Sequence, residues 1–395
     1  MSERQAALPG DLKRLNRQRV LRALRTGGAM SASDLHEATG ISRPTVMRAL
    51  QHYMALGAVE SLGLGSTTSA GGKKPELFRF ADRQRILCLN LWPERVALGL
   101  CGMTGGVYAL EEHERPLPAT LREAFEGLKT LCADYLARQG VDSPYGVALT
   151  VPGTVDHEAQ VLRYNSQAPS WGADVALLPR LQALFGPRPV YFVENAGKAA
   201  GRAVLLDKPE YSRQRMLTLF TTWGVSACMI ERGHVLSGRD SLIGEIGHML
   251  ISDHGPVVCG CGKRGCLESL VSLSRVRARM EARGARPPAG MAELFERSRA
   301  GEPAARETSE AVAHCFAVAL HNLSLAYNQE AVIFQGDYAW ADEAFDRRLK
   351  EELREFRYYP SGRLFAIAYD RRPLALLACI GAAEKLRGRY FDSLQ

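Results

Sequence analysis

Residues 244–268 read "GEIGHMLISDHGPVVCGCGKRGCLE", and the rest of the chain is understood outward from this stretch. Cys259, Cys261 and Cys266 crowd into its second half, with His248 and His254 upstream. Three thiolates and one imidazole make the tetrahedral N/S shell that zinc prefers, and four protein ligands leave no open position for a reactive water. The spacing therefore predicts a structural zinc. Gly260, Gly262 and Gly265 let the backbone turn tightly enough for three sulfurs to converge. Unpaired thiols in a reducing compartment would need no such punctuation. On the residues alone, either histidine completes the set.

Around the cluster the pattern is α/β. The run "ILCLNLWPERVALGLCGMTGGVYAL" (86–110) reads as two strands about a Trp-Pro turn and then a third. A helical stretch at about 119–139, the strand "YGVALTV" and a loop "PGTVDHEAQVLRYNSQAPSWG" follow. "YFVENAGKAAGRAV" (191–204) then reads as a buried strand entering a small-residue helix. A second hairpin, "MLTLFTTWGVSACMIERGHVLSG" (216–238), repeats the opening, and long helices dominate from Leu270, broken by a strand at "EAVIFQGD". Two hairpin-led units in tandem predict a mixed sheet duplicated into two lobes with a cleft between them. That is the actin-like (ribonuclease-H-like) architecture of sugar kinases. Strand ends in such sheets usually carry the chemistry. Here the strand ends in Glu194 and Asn195, yet Ala196 follows, which can do none.

The first fifth of the chain has a different character. Residues 1–80 carry twelve Lys/Arg and six Asp/Glu, so +6 of the net charge of +7 lies there. "NRQRVLRALRTGG" sets Val20, Leu21 and Leu24 on one helical face and stops at a Gly pair. "SASDLHEATG" opens on a Ser cap and packs Leu35 and Ala38. "SRPTVMRALQHYMALGAV" caps on Ser42 and sets Val46, Leu50, Tyr53 and Leu56 at helical spacing. Two short helices about a tight Gly40-Ile41 turn form a helix-turn-helix pattern, whose second helix enters the major groove of double-stranded DNA. Its exposed residues are Arg43, Pro44, Thr45 and Arg48. "AVESLGLGSTTSAGGKKPELFRF" then reads as a two-stranded wing whose tip places Lys73 and Lys74 on phosphates or in the minor groove. A solvated basic face, or a three-helix bundle for protein contacts, would share the charge but not the turn and the wing.

With 395 residues, 46% hydrophobic and 24% charged, the chain is expected to form more than one globular domain. No apolar run is long enough to cross a bilayer, and the first residues lack the core of a signal peptide. Nine cysteines, an odd number scattered apart from one cluster, argue against a secreted disulfide framework. A cytoplasmic protein, nucleoid-associated in a bacterium, is expected.

Taken together, "GEIGHM", "CGCGKRGCLE", "PGTVD", the late "ACIGAAEKL" and the N-terminal winged helix resemble the ROK family (repressors, open reading frames and kinases), in its repressor branch. The resemblance runs from about residue 16 onward. It implies zinc ligation by His248, Cys259, Cys261 and Cys266, and so favours His248 over His254. Kinase members phosphorylate a hexose with ATP; they hold the sugar through an Asn-Asp pair, the Glu and His of "GEIGH" and the Glu of "CLE". Those positions are Asn195, Glu245, His248 and Glu268, with the loop at Pro152-Gly153 and the polar residues near Asn165 closing the other side, but the Asp position is Ala196. The Asp-x-Gly-Gly-Thr phosphate hairpin is replaced by Asn90-Leu91-Trp92-Pro93-Glu94-Arg95. The Gly-Thr-Gly-x-Gly hairpin is replaced by Thr222-Trp223-Gly224-Val225-Ser226, and a late Gly-Gly pair by Gly336-Asp337.

A kinase needs a carboxylate to accept the hydroxyl proton, and amides to receive phosphate. The resemblance therefore implies not an enzyme but a transcriptional repressor of carbohydrate-related genes, a homo-oligomer that senses a small sugar-like effector. The other readings are a ligand-free DNA-binding protein whose body only oligomerises, and an active sugar kinase. The expected organisation is a tail (1–15), a winged helix-turn-helix (16–80) and a first lobe (84–200) rejoined by a C-terminal helix at about 374–395. The second lobe (201–373) carries the zinc loop (244–268).

Overall fold

The computed structural model describes residues 9–65, 74–92, 95–115, 118–222, 224–252, 255, 257–358 and 362–395. The chain divides into two compact units. One holds the chain up to Arg85 together with Gly102–Gly106 and Glu384–Gln395; the other holds Ile86–Cys101 and Val107–Ala383.

The first unit is a winged helix. Helix α1 (Pro9–Gly27), strand β1 (Met30–Ser31), α2 (Ala32–Thr39), α3 (Arg43–Ala55), β2 (Val59–Leu64) and β3 (Glu76–Phe80) follow in order, with the strands arranged β1-β3-β2. Ser31 caps α2 in a capping box with Asp34, and Gly40 ends it at φ 69°. That left-handed turn is the reason a glycine stands there. Val20, Leu24, Leu35, Val46, Leu50 and Tyr53 meet in the core, each with at most 1% of its surface exposed.

Three sequence expectations are corrected here. Helix α1 starts at Pro9, so residues 9–15 are not a tail; Pro at the first helical position is preorganised for a start. Ala38 is exposed and Thr39 is buried instead, its hydroxyl donating to Leu35 O at 2.5 Å. Leu56 is 47% exposed because α3 ends at Ala55 and Leu56 is its C-cap.

The last residues of the chain also belong to this unit. Arg387 is 2% exposed; its Nε donates to Gly102 O at 2.9 Å and its Nη2 to Gly105 O at 3.2 Å. The Arg25 guanidinium lies 3.8 Å from the centre of the Phe391 ring, and Phe391 packs on Phe80. The Asp82 carboxylate accepts from Met103 N and Thr104 Oγ1, each at 2.7 Å. The expected grouping of the whole C-terminal helix with the first lobe is thus corrected for residues 384–395. Their polar groups find partners in the winged-helix unit.

The second unit contains two five-stranded sheets. The first is ordered β11-β7-β4-β5-β6, from β4 (Arg85–Leu91), β5 (Arg95–Gly102), β6 (Val107–Glu114), β7 (Gly146–Val151) and β11 (Val190–Asn195). Between β7 and β11 lie a small sheet of β8 (Thr154–Asp156), β9 (Val161–Tyr164) and β10 (Val175–Ala176), and helix α5 (Leu178–Phe185). Helix α4 (Leu121–Arg138) covers the sheet through Phe125, Leu128 and Tyr135. Helix α6 (Ala196–Asp207) leads to the second sheet, ordered β14-β13-β12-β15-β16. Its strands are β12 (Arg215–Thr221), β13 (Val225–Glu231), β14 (His234–Val235), β15 (Ala331–Gly336) and β16 (Ala366–Asp370). Helices α7 (Leu267–Val271), α8 (Leu273–Glu281), α9 (Met291–Arg299), α10 (Pro303–Tyr327) and α11 (Glu343–Glu355) complete that lobe around Phe295, Phe316, Phe334 and Phe345. In each sheet an antiparallel hairpin is continued by parallel strands, the repeat that the sequence predicts.

Helix α12 (Leu374–Ser393) reaches α6 at a point where only glycine fits: a Cβ on Gly381 would lie 1.8 Å from Ala199 O. Gly381→Ala is therefore expected to lower stability by about 1–3 kcal/mol through overpacking. A shift in the urea midpoint measures it, and an unchanged midpoint would refute this packing.

Candidate functional site

The cysteine cluster is assembled by close backbone turns. Leu250 and Cys266 pair in an isolated bridge, as do Val258 and Arg264. Gly265, at φ 80°, lies so near the backbone of Ser252 that a Cβ would sit 1.8 Å from Ser252 O. His248 ends a single 3-10 turn, Ile246–His248. The ligand atoms of His248, Cys259, Cys261 and Cys266 all fall within 4.8 Å of one another. His248 Nδ1 is 3.5 Å from Cys259 Sγ, and Cys261 Sγ is 3.6 Å from Cys266 Sγ. A zinc tetrahedron with bonds of about 2.3 Å to sulfur and 2.0 Å to nitrogen has edges of about 3.5–3.8 Å, so the donor set fits that ion. A disulfide would require the sulfurs to be about 2.05 Å apart. His254, the alternative ligand, lies outside the described residues.

The same histidine lines a cleft. With one ring nitrogen on the cluster, its imidazole edge joins a pocket formed by Gly153, Asn165, Gln167, Asn195, Glu245 and Glu268, among others. The polar groups here are largely pinned. Glu245 Oε1 accepts from Thr154 Oγ1 at 3.2 Å, and burial pushes its carboxyl above the usual range, partly offset by His248. Glu268 Oε2 accepts from Val225 N at 2.9 Å, tying α7 to the second hairpin. Gly153, at φ 93°, crosses close to Tyr164 O and offers its own carbonyl to Asn195 Nδ2 at 2.7 Å. Asn195 Oδ1 caps α6 through Gly197 N at 2.8 Å and Lys198 N at 3.1 Å. Asn195 thus frames the cleft, with one N–H left to offer. Glu194 turns the other way, fully buried, its carboxylate on Asn195 N and 3.3 Å from Arg202.

Asn165 belongs to the polar stretch expected to close the other side of the pocket. It is 1% exposed and lines the pocket. Its Oδ1 accepts from Gln167 N at 3.0 Å, which fixes the amide's orientation, and its Nδ2 has no partner among the described residues. A buried donor without a partner costs about 1–3 kcal/mol, and such a group calls for an explanation. The loop "YNSQ" held the clue only as polar residues after a strand.

The opposite wall is apolar. Trp92, Ala196 and Phe220, all under 9% exposed, pack with Ala97, Ala200 and Leu377. The Arg95 guanidinium lies 5.1 Å from the centre of the Trp92 ring. Pro93, Glu94 and Trp223 lie outside the described residues. Gly336 keeps its left-handed conformation against Thr221 O, whereas Asp337 beside it is raised to about 6 by burial, against the pull of Arg95.

On the winged helix, Arg43, Pro44 and Arg48 are exposed on α3. Thr45 is half-buried, its hydroxyl 3.0 Å from that of Ser42. Lys74 is exposed at the foot of β3, and Lys73 lies outside the described residues. Glu60 is occupied by Arg79 at 2.5 Å and Arg83 at 2.6 Å. No helix among the described residues is long and apolar enough to cross a membrane.

The ROK family model matches residues 87–368, and an IclR-type helix-turn-helix model matches residues 18–63. A glucokinase of Thermotoga maritima is 26% identical over 230 residues, covering 55% of this chain and 71% of that protein. The xylose repressor of Bacillus subtilis is 24% identical over 265 residues, covering 66% of each. A solved ROK family transcriptional regulator, a homologue of the E. coli MLC protein, superimposes with a TM-score of 0.76 at 18% identity. That likeness covers 97% of this chain and 98% of the other.

Proposed function

The chain belongs to the ROK family, and from that premise we propose that it is a sequence-specific DNA-binding repressor of carbohydrate-related genes, without kinase activity. The observation that carries the proposal is the asymmetry of the cleft. Trp92, Ala196 and Phe220 close the phosphate side, while Asn165 keeps an unspent donor on the sugar side. No carboxylate stands at position 196 to take a proton from an attacking hydroxyl, and phosphoryl transfer depends on such a group and on cradled phosphates. Asp337 adds a carboxyl where a kinase of this family places glycine.

In this reading Arg43, Pro44, Thr45 and Arg48 meet base edges, and Lys73 and Lys74 hold phosphate. Gly153, Asn195, Glu245, His248 and Glu268 surround a sugar-like effector, with Asn165 donating to one hydroxyl. A structural zinc on His248, Cys259, Cys261 and Cys266 holds the imidazole and the α7 carboxylate in place. The protein works in the cytoplasm as a homo-oligomer, so that paired recognition helices read a palindrome. The effector acts only by binding one state of the protein better than another; a hundredfold regulatory ratio needs about 2.7 kcal/mol of such preference.

A thermal-shift panel of free sugars, amino sugars, sugar phosphates and Mg-ATP tests this, because a ligand of the native state raises the melting temperature. One sugar class is expected to stabilise the protein and Mg-ATP to leave it unchanged. Asn165→Ala is expected to weaken sugar binding by about 0.5–1.5 kcal/mol. Turnover of ATP in the presence of any sugar would overturn the reading, and a flat sugar panel would remove the effector from it.

A further inference from the structure

The cleft that holds Asn165 is only the inner part of a larger space. It offers about 70 Å³, room for roughly five to seven waters, and Trp92 is among the residues that line it. Gly153, Ser166, Glu245 and His248 also line a second chamber of about 600 Å³, so the two spaces share a wall. The outer chamber alone falls within the range of about 300–1,000 Å³ in which small-molecule sites are found.

The walls of the outer chamber combine apolar and polar surface. Tyr164 and Leu242, 43% and 59% exposed, line it. An aromatic face of this kind suits the C–H face of a pyranose, while its hydroxyl stays wet. Arg163 lines it too, held at 2.7 Å from both Asp156 and Asp174. Lys263 and Asp240 bring one charge of each sign. Against Arg163 and Lys263 stand three carboxyls, Asp174, Asp240 and Glu245, so the chamber has fixed donors and acceptors but no net attraction for an anion. A sugar phosphate would find no surplus of positive charge there.

We propose that the effector is a neutral disaccharide or longer glycoside. One ring straddles the shared wall and reaches Asn165; the next lies in the outer chamber against Tyr164. This rests on the sensor reading above and names the ligand class it would take.

Calorimetric titration of the full zinc-loaded chain tests it. The probes are maltose, cellobiose, sucrose and N,N′-diacetylchitobiose, their component monosaccharides, and glucose 6-phosphate. One disaccharide is expected to bind at least tenfold more tightly than its components. Tyr164→Ala should erase that advantage, leaving monosaccharide binding and the melting temperature of the free protein unchanged. Asn165→Ala should weaken both classes. A monosaccharide or glucose 6-phosphate binding as tightly as any disaccharide, or a preference untouched by Tyr164→Ala, would overturn the extended ligand and leave the sensor standing. Binding of no sugar at all would bring down both.

Discussion

Replacing Cys261 with serine is expected to reduce bound zinc from about one ion per chain to near zero and to lower stability by more than about 4 kcal/mol. The reason is local. The loop that carries Cys259, Cys261 and Cys266 is held by two isolated bridges and a few backbone hydrogen bonds, such as Cys259 N to Lys263 O at 2.8 Å. Val257 and Val258 on it are 42% and 50% exposed, so apolar burial does little for it. Without a bound ion three thiols and an imidazole would share one small volume with no common partner. The damage should spread to the cleft, since His248 belongs to both sites and Leu267 N bonds to Met249 O at 2.9 Å beside it. Metal analysis together with thermal unfolding measures this. Unchanged zinc content in Cys261→Ser would exclude Cys261 as a ligand.

The second large effect concerns DNA. Arg43→Ala and Arg48→Ala are each expected to cost about 1–3 kcal/mol on a preferred site and to relax base preference. Both side chains are exposed on α3, so melting temperatures should be unaffected. Lys74→Ala should behave differently, weakening all sequences alike and reducing the salt slope by about 1. Titrations at several salt concentrations separate base reading from phosphate neutralisation. Equal losses on preferred and random DNA for Arg43→Ala would move that residue to the phosphate class.

What could be read from sequence, and what could not, divides along the range of the interactions. The helix-turn-helix is local: a capping box, a glycine at positive φ and apolar spacing on α3 are all visible within a few residues. The cysteine spacing is local too, and the four ligand atoms converge as the spacing implies. Where local pattern was pressed to the last residue it failed, as at Leu56, because a helix end is fixed by its cap and not by periodicity. The choice between His248 and His254 is not in the spacing; it rests on the family resemblance, and among the described residues the 3-10 turn brings His248 Nδ1 to 3.5 Å from Cys259 Sγ.

Long-range contacts were out of reach. Asn195 reads as a ligand-binding residue, but its amide is mostly spent on Gly153 and on the cap of α6. Asn165 reads only as one of the polar residues closing the pocket, because an unpartnered donor is recognised only after every possible partner has been placed. Arg387, 282 residues from Gly105 in sequence, ties the C-terminal residues into the winged-helix unit by bonds that no local pattern announces.

Selection of DNA from a random pool by the intact zinc-loaded protein tests the central claim most directly. The expected product is an inverted repeat whose half-sites are spaced by about one helical turn or a multiple of it, bound at least a thousandfold more tightly than random DNA at the same salt. A pool that shows no enrichment, or enriched fragments bound no better than random ones, would contradict the assignment of this chain as a sequence-specific regulator.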